Sequence, residues 1–146
     1  GKGRARGKRG RADLLAGITG LMALTERVKQ VFRRRGHLIG LDGRTLTVRS
    51  EHSALNTLLQ GAGAILMKKA LVTLDRYLQF VGFIPGEDYE FVANVHDEWQ
   101  IECKKNYARQ IGKYGEAAFE SSGRAFEFGC KITGTYKTGS DWSLTH

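Results

Sequence analysis

The residues best suited to chemistry lie near the middle of the chain, where His96 is followed by the adjacent carboxylates Asp97 and Glu98. Residues 89–95 and 98–103 on either side are rich in Val, Ile and aromatic residues, and the second run alternates between polar and apolar. This pattern predicts a two-stranded hairpin with the acidic pair at its turn. Adjacent carboxylates repel, and a Mg²⁺ ion, which prefers oxygen ligands, would relieve that repulsion. The alternative is a polar hairpin tip with solvated carboxylates.

Length and charge bound the kind of protein that positions this turn. The chain has 146 residues and a formal net charge of +8. The length predicts one domain with a modest core. The positive charge predicts a polyanionic partner, with nucleic acid favoured over an acidic membrane. No apolar run could cross a bilayer and no signal peptide is visible, so we expect an intracellular protein without a membrane partner. Cys103 and Cys130 match no zinc spacing and are expected to be reduced thiols, each in a strand, with a disulfide as the alternative.

The N-terminal third combines a charged segment with a helix. Residues 1–12 carry six cations among glycines and are predicted to form a flexible basic arm that could grip phosphates. Gly17 and Gly20 are expected to divide the following helical pattern into a short and a longer helix, with Thr19 as N-cap. Three arginines at 33–35 before a glycine are typical of a helix C-terminus, and could also contact DNA.

A hairpin and the longest helix follow. The Asp-Gly pair at 42–43, between β-prone runs, predicts a hairpin that leaves Arg44 and Arg49 exposed. Ser53 is expected to cap a helix from Ala54 to about Val81, whose apolar residues keep helical spacing throughout.

A second stripe on that helix carries Asn56 and Gln60, one turn apart, with Gly61 and Gly63 beside them and Met67 at its end. Paired carboxamides on a closely approachable surface suit the DNA minor groove, where they can reach purine N3 and pyrimidine O2 at any sequence. The alternative is an Asn–Gln pair that is merely solvated, or buried with its hydrogen bonds satisfied.

The C-terminal part is expected to contain a helix and a strand. Asn106 could cap a helix running to about Ser122, residues 130–136 alternate as a strand, and residues 138–146 form a polar tail anchored by Trp142. No repeat or internal linker interrupts residues 13–146, which are therefore predicted to form a single α+β domain.

Several segments together resemble a known family. Val95-His96-Asp97-Glu98 resembles motif C of the family A DNA polymerases, the group of bacterial DNA polymerase I and the phage replicative enzymes. Further segments resemble the phage-type pattern of this family: Leu41–Arg44, Val48–Ser50, His52, Ala54–Gln60, Asp141-Trp142 and His146. The match covers nearly the whole chain, more loosely over residues 1–35 and in pattern more than in identity over residues 106–128.

The resemblance implies a fold and a set of roles. The fold would be half of a polymerase palm, with antiparallel hairpins, a long central helix and flanking helices. Residues 13–52 would follow the fingers, and residues 53–146 would hold the long helix, the motif C hairpin and a C-terminal helix and strand. The implied site residues are Asp97 as a ligand of the two catalytic Mg²⁺ ions, Glu98 as a weaker carboxylate ligand nearby, His96 close to the primer 3′ nucleotide, Asn56 and Gln60 along the primer–template minor groove, Arg44 and Arg49 near the DNA backbone, and His52 where bacterial enzymes have arginine.

The family's site also needs parts that this sequence lacks. These are the second aspartate, in motif A, and the fingers helix whose Lys and Tyr hold the incoming deoxynucleoside triphosphate. The other aspartates lie in contexts that do not match motif A. The resemblance therefore implies the C-terminal part of a polymerase that does not polymerise alone, and the start at Gly1 rather than Met fits a processed chain or a piece of a longer one. A complementary polymerase chain, or self-association through an exposed apolar patch or sheet edge, is expected.

Two other functions compete with this interpretation. The first is a non-catalytic DNA-binding remnant, for which Asp97 would have no role. The second is a metal-dependent nuclease. It would need further carboxylates or histidines near the turn, and the other histidines of this sequence do not lie at a spacing typical of metal ligands.

Overall fold

The computed structural model describes Ile18 and residues 20–145. These residues form an α+β structure, as predicted, with two separate antiparallel strand pairs, β1–β2 and β3–β4. The elements are α1 (Leu21–Arg35), β1 (Leu38–Ile39), β2 (Thr45–Leu46), α2 (Ala54–Phe80), β3 (Tyr89–Val95), β4 (Glu98–Cys103) and α3 (Ala108–Ala125), with 3₁₀ helices at Glu51–Ser53 and Trp142–Leu144. The predicted basic arm at 1–12, the Thr19 cap and His146 lie outside the described residues.

The chain divides into two compact units, residues 1–61 and residues 62–146. The boundary falls inside α2, after its second turn, so that each unit contains part of this helix. The prediction of a single domain from residue 13 to residue 146 stays a prediction.

In the first unit, α1 ends where the arginines and the glycine predicted. Gly36 has a φ of 75°, a left-handed conformation that glycine adopts without a steric penalty, and its N–H donates to the Phe32 carbonyl at 2.8 Å. Val28 on α1 packs with Leu38, Val48 and Ala54 into a small core. The predicted hairpin is also present, and its turn is closed by a 2.8 Å hydrogen bond from the Gly40 N–H to the Arg44 carbonyl.

The start of α2 differs from the prediction. The Ser53 hydroxyl donates to the Ser50 carbonyl at 2.8 Å and accepts the Ser50 N–H at 3.2 Å. These bonds stabilise the 3₁₀ turn at Glu51–Ser53 that precedes α2, because the hydroxyl points back along the chain. The prediction that Ser53 caps α2 is therefore wrong, although the predicted length of the helix is confirmed to within a residue.

The second unit is organised around α2 residues Leu74 and Leu78, both fully buried. Around them lie Phe83, Tyr89, Ile111 and Ala118, so that the end of α2, the β3–β4 hairpin and α3 share one core. Trp99 on β4 stacks on Phe119 of α3 with ring centroids 4.7 Å apart and planes 14° from parallel. This stacking holds β4 against α3 one residue after the pair that closes the hairpin turn.

The helix α3 begins later and ends later than predicted. The Tyr107 N–H donates to the Lys104 carbonyl at 2.8 Å, which forms a turn before the helix, and Tyr107 occupies the N-cap position without a side-chain cap bond. The prediction that Asn106 caps this helix is therefore wrong. The helix continues three residues beyond Ser122, to Ala125.

The strand predicted at residues 130–136 is absent. This segment instead packs its side chains against α3: a Cβ added to Gly123 would lie 2.8 Å from Ile132, and one added to Gly112 would overlap the Tyr136 ring. Alternating apolar residues were expected to face a sheet, but here they enter notches left by helical glycines. Cys130 consequently lies outside any strand, and both Cys130 and Cys103 are free thiols, as predicted.

The polar tail contacts β4 through its penultimate residue. The Thr145 hydroxyl lies 3.2 Å from the Gln100 carboxamide oxygen. Trp142 is 49% exposed, and the prediction that it anchors the tail stays a prediction.

Candidate metal and nucleic-acid site

The acidic turn is a two-residue hairpin loop. Val95 pairs with Glu98, which leaves His96 and Asp97 as the two loop residues. His96 has a φ of 55°, in the left-handed region where hairpin loops usually have glycine. A side chain there costs about 1–2 kcal/mol. Asp97 is the second residue of this strained loop and is exposed.

The two carboxylates at this loop have different surroundings. Asp97 is exposed and has no ion-pair partner among the residues that the structure describes. Glu98 is half-buried, and its Oε1 accepts a hydrogen bond from the Gln100 Nε2. One carboxylate therefore faces solvent and the other is held by a neighbour on the same strand.

A β-bulge determines which side chains share a face with this loop. Phe91 pairs with Ile101 and Ala93 pairs with Gln100, so Val92 is an extra residue on β3. Beyond the bulge, Asn94 lies opposite Trp99 and Ala93 lies on the Gln100 side. If Val92 paired regularly with Gln100 instead, Ala93 and Asn94 would each shift by one position and exchange faces.

The donor set at the loop fits part of a magnesium site. Carboxylate oxygens are the ligands that Mg²⁺ selects, and it commonly binds through one or two of them together with substrate phosphates. Between residues 20 and 145, no group of three or more His, Cys, Asp and Glu side chains could enclose a metal. Asp97 and Glu98 can therefore supply one side of a site, with the remaining ligands coming from elsewhere.

The predicted minor-groove residues lie in the first compact unit. Asn56 and Gln60 are exposed one turn apart on α2, and His52 is exposed in the preceding 3₁₀ turn. The two glycines beside them differ: a Cβ on Gly61 would lie 3.3 Å from Leu46, whereas nothing lies within 4 Å of one on Gly63. Gly61 thus serves internal packing, and Gly63 leaves an open surface.

Met67 was expected to extend this stripe, and that expectation is wrong. Its side chain is 8% exposed and belongs to the buried face of α2. The carboxamide stripe therefore stops before Met67.

The predicted backbone-contacting arginines differ in their pairing. Arg44 Nε lies 2.6 Å from Asp42 Oδ2 within the β1–β2 turn. Burial raises the pKa of Asp42 while its hydrogen bonds from Arg44 lower it, and the net effect is a pKa below the usual value. Arg49 is exposed and has no such partner among the described residues. Arg49 can therefore contact a phosphate without breaking an existing ion pair.

Two residues near the loop were missed from the sequence. Gln100 could have been found, because residues i and i+2 of a strand lie on the same face and Glu98 is two positions before it. Thr145 had no signal of this kind, since it is 45 residues away from Gln100 in sequence.

Among the described residues, no helix is both long and apolar enough to span a bilayer.

Comparison with known proteins identifies relatives over the whole chain. The family model for DNA polymerase family A matches residues 15–144. The chain is similar to the DNA-directed DNA polymerases of Escherichia phage T7 (32% identity) and Enterobacteria phage T3 (31% identity), in each case over 100% of this chain and 23% of the relative. It is also 33% identical to DNA polymerase I of Aquifex aeolicus over 68% of this chain and 17% of that protein. The chain thus spans about a quarter of the length of its phage relatives.

A solved structure shares the fold. The POL domain of Pol1 from M. smegmatis, in complex with DNA primer-template and dNTP, superposes with a TM-score of 0.66. The match covers 81% of this chain and 22% of that chain, at 18% sequence identity. At that identity, the similarity supports the fold alone.

Proposed function

This chain belongs to DNA polymerase family A, and from that premise we propose that it forms the motif C part of a template-directed DNA polymerase. The observation that carries the proposal is the exposed Asp97 carboxylate on a two-residue loop beside Glu98, in a chain that the family model matches almost throughout. The substrates would be primer–template DNA and a deoxynucleoside triphosphate, and the protein would act inside the cell.

Asp97 and Glu98 would hold one side of the magnesium site. Mg²⁺ bound there would supply the positive charge that activates an attacking hydroxyl and stabilises a leaving group. The exposed Asp97 carboxylate can reach an ion that lies outside this chain's own surface. Glu98, held by Gln100, would keep a second oxygen directed at the same region, with His96 beside the primer 3′ nucleotide.

The first compact unit would bind the duplex. Minor-groove acceptors are present at every base pair, so carboxamides at Asn56 and Gln60 can contact any correct pair without selecting a sequence. Arg49 and His52 lie on the same unit and would contact the backbone near these bases, and Arg44 would do so on release from Asp42. Contacts to phosphate make the binding strongly dependent on salt.

The second metal-binding carboxylate, which lies in motif A, and the nucleotide-binding helix would come from polypeptide outside residues 1–146. A complementary chain is one source, and self-association cannot replace it because a second copy supplies the same residues. Exposed apolar side chains at Phe80 (90%) and Ile84 (51%) are available for such a contact.

A chimera tests the function directly. This chain replaces the matching segment of phage T7 DNA polymerase, and primer extension is measured with Mg²⁺. We expect extension by the chimera and a loss of about 10²–10³-fold on Asp97→Ala, the scale on which a catalytic electrostatic group acts. Glu87→Ala removes another exposed carboxylate of the same unit and should leave extension unchanged.

Two results would count against the proposal. If the chimera extends primers equally well with Asp97→Ala, the metal-site assignment is wrong. If the chimera binds duplex DNA in a salt-dependent way but never extends a primer, the DNA-binding remnant explains the chain better. Asn56→Ala and Gln60→Ala should weaken duplex binding in both cases, whereas Gln110→Ala, an exposed carboxamide on α3, should not.

A further inference from the structure

A chain of hydrogen bonds runs from the end of the molecule to the acidic loop. The Thr145 hydroxyl lies 3.2 Å from Gln100 Oε1, and the Gln100 Nε2 donates to Glu98 Oε1. The Thr145 hydroxyl also lies 3.1 Å from the Trp142 carbonyl, so its single proton is shared between two acceptors. Two side chains of β4 and one from the tail, 45 residues away from Gln100, thus form one connected path.

We infer that Gln100 and Thr145 are positioning residues that fix the Glu98 carboxylate beside Asp97 for metal binding, an inference that rests on the proposed function of this loop. Glu98 and Gln100 are two positions apart on β4, on the face where Thr145 lies.

The chemistry of the carboxamide sets the direction of the path. A carboxylate only accepts hydrogen bonds, so the Gln100 amide nitrogen must face Glu98. The Gln100 oxygen then faces Thr145, where a hydroxyl can donate to it. Glu98 therefore sets the direction of the Gln100 amide, Thr145 holds the amide oxygen, and Gln100 in turn restrains the Glu98 side chain through its Oε1.

The physical benefit lies in the side chain of Glu98. A glutamate loses considerable rotamer freedom when it binds a ligand. Glu98 is already restrained by its hydrogen bond to Gln100, so part of that loss has occurred before an ion arrives. Outer hydrogen-bond partners of metal ligands typically change affinity 10–100-fold.

The test uses the 146-residue chain and two NMR readouts. Three-bond couplings report how far the Glu98 side chain is averaged among rotamers, and paramagnetic broadening of the Asp97 and Glu98 signals by Mn²⁺ gives a Kd. We expect Gln100→Leu and Thr145→Val to average the Glu98 rotamers and to weaken Mn²⁺ binding by about three- to tenfold, less than for buried sites because Glu98 is half-exposed. Thr145→Ser keeps the hydroxyl and should restore both readouts.

Matched controls exist in the same unit. Gln79 donates to Asp75 Oδ2 at 2.7 Å on α2, so Gln79→Leu removes the same type of bond away from the loop. Thr73 donates to the Lys69 carbonyl at 2.8 Å, and Thr73→Val is the equivalent control for the hydroxyl. Neither control should change the Glu98 rotamers or the Kd. The double variant Gln100→Leu/Thr145→Val should match Gln100→Leu alone, because both act through one path.

The outcomes separate this inference from the proposed function. Unchanged Glu98 rotamers and Kd in both Gln100→Leu and Thr145→Val would overturn the inference. If Mn²⁺ does not broaden the Asp97 signal of the unaltered chain, the proposed metal site fails, while the rotamer measurement still decides whether the path restrains Glu98. Equal behaviour of Thr145→Ser and Thr145→Val would also refute the path, since only one of them keeps the donor.

Discussion

Replacing Gly123 by alanine tests whether residues 130–136 pack on α3. Alanine favours a helix interior over glycine by about 0.8–1.0 kcal/mol. At Gly123 the added Cβ would lie 2.8 Å from Ile132, and both residues are held within the second unit. Inserting a methyl group into a packed contact costs about 1–3 kcal/mol. The net expectation for Gly123→Ala is a loss of stability of roughly 0–2 kcal/mol.

Gly115 on the same helix supplies the comparison. Its nearest neighbour for an added Cβ is Leu74 Cδ2 at 4.0 Å, an ordinary contact distance. Gly115→Ala should therefore keep the helix gain and raise the free energy of unfolding by about 0.8–1.0 kcal/mol. The difference between the two variants should be about 1–3 kcal/mol, because the helix gain is common to both.

Urea unfolding followed by circular dichroism measures both variants. Adding Ile132→Ala to Gly123→Ala should recover stability relative to the sum of the single changes, since the clash is then absent. If Gly123→Ala stabilises the chain as much as Gly115→Ala does, residues 130–136 do not occupy the notch on α3, and the described packing is wrong.

Three further predictions concern the second unit. Ser122 is fully buried and its hydroxyl has no hydrogen-bond partner among the described residues, so Ser122→Ala should raise the urea midpoint, by about 1 kcal/mol in stability. The hydrogen bond from Lys104 holds the pKa of Asp88 below its usual value. The ionised Asp88 carboxylate therefore stabilises the fold at neutral pH, and this contribution is lost as the pH falls below about 4. Asp88→Asn should flatten this acid dependence in thermal melts. Burial, followed by the 2.6 Å hydrogen bond to Asp75, raises the pKa of Tyr89 well above its usual value near 10. The fold should therefore lose stability as the pH rises beyond about 10, and Tyr89→Phe should remove that loss. Ultraviolet absorbance follows the ionisation of the tyrosine.

The elements that sequence reasoning located well are those with two agreeing signals. The end of α1 had both cations in the last turn and Gly36 beyond it, and the first hairpin had β-prone runs around Gly43. Helix α2 had a long apolar repeat that no competing pattern matched. Where only one signal existed, as for Asn106 and Ser53, a local turn bound the backbone first and the cap was wrong.

Residues 130–136 show why alternation alone is insufficient. A period of two is expected of a strand with one buried face, but it is equally expected of a chain that places every second side chain on a helix. Here the deciding information lay in α3, whose Gly112 and Gly123 leave space for Tyr136 and Ile132. Such a pairing is between segments, so neither sequence window contains it.

The candidate site also combines residues that a local pattern predicts with contacts between distant segments that no local pattern predicts. Asp97 and Glu98 could be predicted, because an acidic pair at a hairpin turn is a local feature. The support of Glu98 by Thr145 depends on the folded path of the tail, which no local pattern encodes. The roles of the two carboxylates and of the DNA-contacting residues stay predictions.

The extra residue at Val92 makes the direction of the acidic loop depend on the length of β3 as well as on its chemistry. Four positions of β3 lie between Phe91, which faces the core, and the loop, opposite only three positions of β4. A variant lacking Val92 would have three positions on each strand, so Asn94 would still pair with Trp99 and the motif would keep every letter. The bend and added twist that a bulge gives its strand would be lost, and the loop would leave the sheet at a different angle. Such a variant would look intact when its residues are compared one by one, although its carboxylates would point in a different direction.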